Sequence, residues 1–194
     1  MTQLMTEQGM VRVPAGTWVV DPAHSSVAFE VKHMMISTVR GQFREFDGTL
    51  EAAEDDPADS RVRGTAKVAS IDTGSPDRDE HLKGPDFFDA ARYPVITFVS
   101  DGFSKSSATS YSVRGKLTMH GVTRPVTLAV TAPPPFNHAG GTRRGIEATT
   151  SVNRKDFGLL WEFPGEGAGV VVGDSIKITI DAELVLQPEP SQGG

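Results

Sequence analysis

From Ser175 to Leu184 the chain alternates without a fault. Ile176, Ile178, Ile180, Ala182 and Leu184 are apolar, and Lys177, Thr179, Asp181 and Glu183 between them are polar. A period of two sends successive side chains to opposite faces of a strand, so one face meets an apolar interior and the other meets water. The same beat recurs along most of the chain. It predicts an all-β fold of about eight strands, an antiparallel sheet curled around an apolar space.

The remaining strands follow from the same pattern. The first is expected over 17–20, stopping at Asp21-Pro22, and the second over 24–33, with Val27, Phe29 and Val31 on one face. The third, over about 39–52, contains a fault: Val39, Gly41 and Phe43 share one parity, whereas Phe46, Gly48 and Leu50 share the other. One extra residue near Arg44-Glu45 restores the face, which predicts a β-bulge there. A fourth strand covers 61–68. A short helical segment near residues 76–92 comes next, with Ser75 as cap, Pro76 at the first helical position and Asp77 on the N-terminal dipole. Gly84-Pro85 breaks it, and Asp86 is placed to cap a second short helix ending before Pro94. Strands are then expected near 95–100, 111–119 and 123–131, the last two joined by a tight turn at His120-Gly121, followed by 145–154 and the closing strand. Residues 1–16 read as a flexible N-terminal arm and 187–194 as a flexible tail around one domain at 17–186.

Composition removes several function classes. The net charge is −6 and there is no long basic run, so a nucleic-acid partner is not expected. Absence of cysteine excludes disulfides, thiolate nucleophiles and sulfur-ligated zinc. No window approaches the roughly 18 apolar residues of a membrane span, so no stable membrane insertion is expected. The first sixteen residues carry neither a basic leader nor an apolar run, which points to the cytoplasm unless a leader was removed. Histidines 24, 33, 81, 120 and 138 show no metal-ligand spacing, no G-x-S-x-G elbow is present, and the glycines after Pro164 precede a strand rather than a helix. Catalytic residues, a metal and a cofactor are therefore not expected. A homodimer is compatible with the sequence, but nothing in it specifies one.

The inward parity mixes bulky Phe29, Phe43, Phe98, Leu117 and Met119 with Gly41, Gly48, Gly64, Ala66, Gly115, Ala148 and Ala182. Small residues of this kind either let large ones interdigitate from the opposite wall or leave room for a guest, and an eight-stranded barrel allows both. Leu159, Leu160, Trp161 and Phe163 crowd a glycine-rich loop, where they pack under the rim or line a mouth. His33 and Arg154 continue inward-facing rows. Each reads as a rim residue, with Asp79 or Asp156 as ion partner for Arg154, or as an anchor for a ligand headgroup. Arg78 and Asp79 read as salt-bridging pins holding the helical segment over Leu82, Phe87 and Phe88, or as ligand contacts.

Several fragments, taken in order, resemble the YceI-like family. They are Trp18–Ser25 (WVVDPAHS), 41–48 (GQFREFDG), 78–82 (RDEHL) with Asp86, Phe87 and Phe88, Tyr93-Pro94, 115–123 (GKLTMHGVT) and 153–158 (NRKDFG), ahead of the closing strand. The resemblance spans about residues 17–186. It implies a lipocalin-like barrel that binds, stores or transports a long isoprenoid or similar amphiphilic lipid in its lumen, and many relatives are exported to the bacterial periplasm. Combined with the inward parity, it makes the expected ligand contacts Phe29, His33, Phe43, Leu82, Phe88, Phe98, Leu117, Met119, Val152, Arg154, Phe157 and Trp161. The expected partner is a hydrophobic small molecule. Two alternatives stay open: an enzyme using histidines 33, 81 and 120 on an apolar substrate at the barrel mouth, or a protein-interaction module docking through the Trp161 loop.

Overall fold

In the computed structural model the residues described are 6–7, 10–11, 13–54, 56–138, 141–162 and 171–188. Among the described residues nine long strands carry the fold: β1 (Gly16–His33), β2 (Ser37–Phe43), β3 (Phe46–Ala52), β4 (Arg61–Lys67), β5 (Val95–Lys105), β6 (Ser110–Met119), β7 (Val122–Thr131), β8 (Gly141–Asn153) and β9 (Val172–Leu186). All pair antiparallel. Eight close a ring in the order β1-β3-β4-β5-β6-β7-β8-β9, with β9 returning to β1. β2 lies beside the other half of β1, placing Gly41 opposite Phe29. Closure gives each of the eight a paired neighbour on both sides.

Position 21–22 does not end a strand. β1 runs unbroken through Asp21-Pro22 because its register against β9 slips there, with Ser26 opposite Asp181 and Asp21 opposite Glu183. The extra residues bulge outward, so Pro22 owes no ladder hydrogen bond. Ser25 Oγ ties the bulge down, donating to Asp21 O at 2.6 Å and accepting from Glu183 N at 3.0 Å. The fault near Arg44-Glu45 resolves as a two-residue bend dividing the expected third strand into β2 and β3. Phe43 and Phe46 both reach the interior, so the face is restored where the parity demanded it. β5 is longer than expected because a register shift between Ser100 and Gly102 moves its inward row from Phe98 to Phe103 and hides the continuation.

Only the first helix forms. α1 (Pro76–Lys83) has Pro76 in its first turn, but Ser75 makes no side-chain cap bond. After Gly84 the chain goes through hydrogen-bonded turns rather than a second helix. Asp89 adopts φ +46°, which a helix does not allow, and its carbonyl accepts from the amides of both Arg92 and Tyr93. The Asp86 carboxylate faces His81 Nε2 at 3.0 Å instead of capping. Arg78 and Asp79 do pin α1, through Thr73 rather than through salt bridges. Thr73 Oγ1 donates to Asp79 Oδ1 at 2.6 Å, and Arg78 Nε donates to Thr73 Oγ1 at 2.7 Å.

The turn at His120-Gly121 has positive φ at both positions (+52° and +72°), the type I′ geometry that suits the twist of β6 and β7. In the N-terminal arm Thr6–Glu7 pairs with Met10–Val11, and Pro14 O accepts from Nε1 of the fully buried Trp18. Residues 1–5, 8–9 and 12 of the arm, and the tail from residue 189, lie outside the described residues. No helix of the described residues is long and apolar enough to cross a membrane.

Candidate functional site

A domain of this size ordinarily has one contiguous core. Here the buried apolar residues fall into separate clusters, around Leu117, Met119, Val152, Phe157 and Leu159, around Phe43, Ala66 and Ile71, and around Val113, Leu128 and Ala148. The half-buried Phe88, Ile96 and Phe98 pack between these clusters and line a cavity of about 900 Å³ along the barrel interior. Phe29, Val31, Phe46, Ile96, Phe98, Ile178 and Ile180 line it and are only half-buried, because they face an open lumen instead of another side chain.

Two glycines explain why the rings do not fill that space. Phe29 lies directly across from Gly41, and a Cβ at Gly41 would collide with the Phe29 ring and approach Thr73 Cγ2 to 2.8 Å. A Cβ at Gly115 would come to 2.7 Å from Phe98 Cε2. The tips of both rings therefore lie against the bare backbone of a neighbouring strand. From there Phe29, Phe43 and Phe88 form an aromatic step toward α1, with centroid separations of 5.7 and 6.2 Å.

The two ends differ. At the α1 end the lumen is bounded by Leu82, Phe87, Phe88, Leu159 and Arg154. Arg154 is 3% exposed and spends its donors on the protein: Nε on Gly173 O, Nη1 on Leu159 O and Trp161 O, and Nη2 on Val172 O. Its ion partner is Asp174, at 3.3 Å, rather than Asp79 or Asp156. At the other end the lining includes the exposed Glu54, Pro57 and Lys105, so the cavity reaches the surface there, together with Tyr111 and the buried Arg144.

Of the expected contacts, Phe29, Phe43, Leu82, Phe88, Phe98, Leu117, Met119, Val152 and Arg154 line the cavity; His33, Phe157 and Trp161 do not. His33 is the last residue of β1, beyond the lumen, where its carbonyl accepts from Ile36 N in the turn to β2. Phe157 is 1% exposed and packs in the cluster with Leu117 and Val152. Trp161 stacks outside the lumen against Phe87 and His81, at 5.1 and 5.2 Å. In the same loop Leu159 is buried and Leu160 is 63% exposed, while Phe163 lies outside the described residues. The parity reading missed Tyr111, Lys105 and Arg144. Arg144 continues the row of Ile146, Ala148 and Val152, but one residue before the expected start of that strand.

The histidines of the enzyme alternative are not gathered. His81 pairs with Asp86 on the exterior, and His120 Nδ1 lies 3.1 Å from Phe157 O. Among the described residues one group, Asp21, His24 and Glu183, brings together atoms at metal-ligand separations. Arg143 Nη1 donates to both of those carboxylates, so a cation is already supplied by the protein. His24 first, then the amide of Ala23 and Arg143, hold the Asp21 carboxyl below its usual range.

The comparisons with known proteins agree with this architecture. The YceI-like domain model matches residues 18–184. The chain belongs to the YceI-like family. A UPF0312 protein of Azotobacter vinelandii is 33% identical over 157 residues, covering 78% of this chain and 80% of that protein. One from Photorhabdus laumondii is 38% identical over 135 residues, covering 69% and 70%. Among solved structures, Burkholderia cenocepacia BcnA is similar, with TM-score 0.74 and 28% identity over 84% of this chain and 98% of that one. A polyisoprenoid binding domain from Saccharophagus degradans, implicated in plant cell wall breakdown, superposes with TM-score 0.64 over 88% and 98%. At 16% identity, that second likeness speaks for the fold alone.

Proposed function

We propose that this YceI-like protein binds and carries one long apolar chain, an isoprenoid or similar amphiphilic lipid, inside its barrel. The observation that carries the reading is the lumen itself, about 900 Å³ with walls of phenylalanine, valine, isoleucine and leucine. That volume is within the range of small-molecule sites and corresponds to roughly thirty waters of liquid. Water held against such a wall gains little from it. A hydrocarbon chain gains about 0.8 kcal/mol for each methylene removed from water. A membrane hides the same carbons equally well, so exchange with a bilayer is close to balanced along the chain and headgroup contacts set the direction. The Saccharophagus degradans domain, described as polyisoprenoid binding, supports the same reading by analogy of fold.

Native mass spectrometry of gently purified protein tests it. The expected result is an apolar passenger, or uptake of one from an isoprenoid-containing extract. Ala148, 3% exposed and on the lumen wall, provides the control, because Ala148→Trp fills the middle of the channel and is expected to abolish uptake. A uniform apo mass with no uptake by the natural sequence overturns the proposal.

A further inference from the structure

Arg144 is a buried cation that no carboxylate of the described residues neutralises. It is 6% exposed, on the inward row of β8 and in the lumen lining. Nε donates to Pro133 O and Nη2 to Ala132 O, both at 2.9 Å, and Nη2 lies 3.4 Å from Tyr111 Oη. These partners are neutral. The guanidinium also stands over the Tyr111 ring, 5.6 Å from its centroid. Nη1 has no hydrogen-bond partner among the described residues, yet it is not one of the sealed, unsatisfied side-chain atoms. It therefore remains within reach of whatever occupies the space Arg144 lines.

The contrast with Arg154 is informative. Both arginines sit on the wall of one apolar cavity, but Arg154 has Asp174 at 3.3 Å and a backbone acceptor for each of its three nitrogens. Guanidinium stays protonated at any working pH, so burying it without a counter-charge is costly unless something else supplies one. Glu54 lines the same end but does not pair with Arg144. Nη1 and the Tyr111 hydroxyl together offer a fork of donors to an oxyanion.

We propose that Arg144 and Tyr111 form an anion-binding headgroup site at the open end of the lumen, so that the preferred guest is an apolar chain ending in a carboxylate or phosphate. The proposal rests on the lumen reading above and adds the guest's polarity and orientation: acid group at Tyr111 and Arg144, tail toward Phe88 and α1.

The test uses the full chain and N-phenyl-1-naphthylamine, an uncharged fluorescent probe of apolar cavities. It is displaced by hexadecanoate, hexadecyl phosphate or hexadecan-1-ol, each below its micellar concentration. The expected result is that at least one anion binds about tenfold or more tightly than the alcohol, as a charge-assisted hydrogen bond implies. Which anion leads identifies a carboxylate or a phosphate source. Arg144→Gln is expected to reduce the preference to about threefold or less, and Arg144→Lys to keep part of it, each preference being read as the ratio of anion to alcohol on the same variant. If hexadecan-1-ol matches both anions in the natural protein, the headgroup site is overturned and the lumen reading survives. If the probe and all three competitors fail to bind, the lumen reading falls and takes this one with it. The comparison among guests is made on the natural protein, so it decides the matter even where a variant fails to fold.

Discussion

Arg154 shows how a charged residue on an inward row can be structural. Its guanidinium joins the loop at Leu159 and Trp161 to the start of β9 at Val172 and Gly173, regions that nothing in the local pattern connects. Arg154→Met is expected to cost about 3 kcal/mol or more in urea unfolding, since it strands buried carbonyls and leaves Asp174 without its arginine. Arg154→Lys is expected to recover little of this, because a single ammonium cannot reproduce the planar fork. Parity could place Arg154 at the end of a lumen row. It could not show that the donors were already spent, because two acceptors belong to a loop with no periodic pattern and two to the start of another strand, at Val172 and Gly173. Arg144 was legible in the same way and lay one position outside the expected strand.

Among the elements, β1 and β2 show what glycine does for the lumen. Gly41→Ala is expected to push the Phe29 ring off the wall, lowering stability by about 1–3 kcal/mol and reducing uptake of long chains more than short ones in a displacement assay. The tip joining these strands has a different fault. Met34 and Met35 hold φ of +50° and +59°, left-handed geometry that suits Asn-Gly, while remaining 53% and 64% exposed. The double change Met34→Asn, Met35→Gly is expected to raise stability by about 0.5–1 kcal/mol, read as a higher thermal midpoint. Strand faces were legible because period two survives in each segment. Interruptions were legible only where apolar residues stand on both sides, as at Phe43 and Phe46, where the expected bulge is a two-residue bend. At Asp101 the slip lies beside Ser100, whose hydroxyl accepts from Val62 N, so the apolar row is interrupted and gives no signal.

For the whole molecule, the charge pairs of Asp21, Asp72, Glu162, Lys67 and Lys155 reach solvent and predict its pH behaviour. The carboxyls of Asp21, Asp72 and Glu162 are held below their usual values, by His24, by the Gly74 amide with Arg44, and by Lys155 respectively. A depressed folded pKa contributes stability above the unfolded value, about 4, and loses it as pH falls through the folded one. Lys67, raised by Glu45, and Lys155, raised by Glu162 and Asp174, contribute below the unfolded lysine value, near 10.4, and lose it at higher pH. The thermal midpoint is therefore expected to be flat with respect to these groups between about pH 5 and 10 and to fall toward acid, with Asp21→Asn shallowing the acid limb. Added salt is expected to weaken the effect, since the groups are accessible to solvent. The sequence by itself determined the strands and their inward faces, because side-chain alternation is a local property that any extended strand must obey. It left open whether the interior is full or vacant, since a glycine on an inward row serves either outcome. Only the tertiary structure decided that: it lays Phe29 over Gly41 and Phe98 over Gly115 across neighbouring strands, and so keeps the rings at the wall and the channel clear.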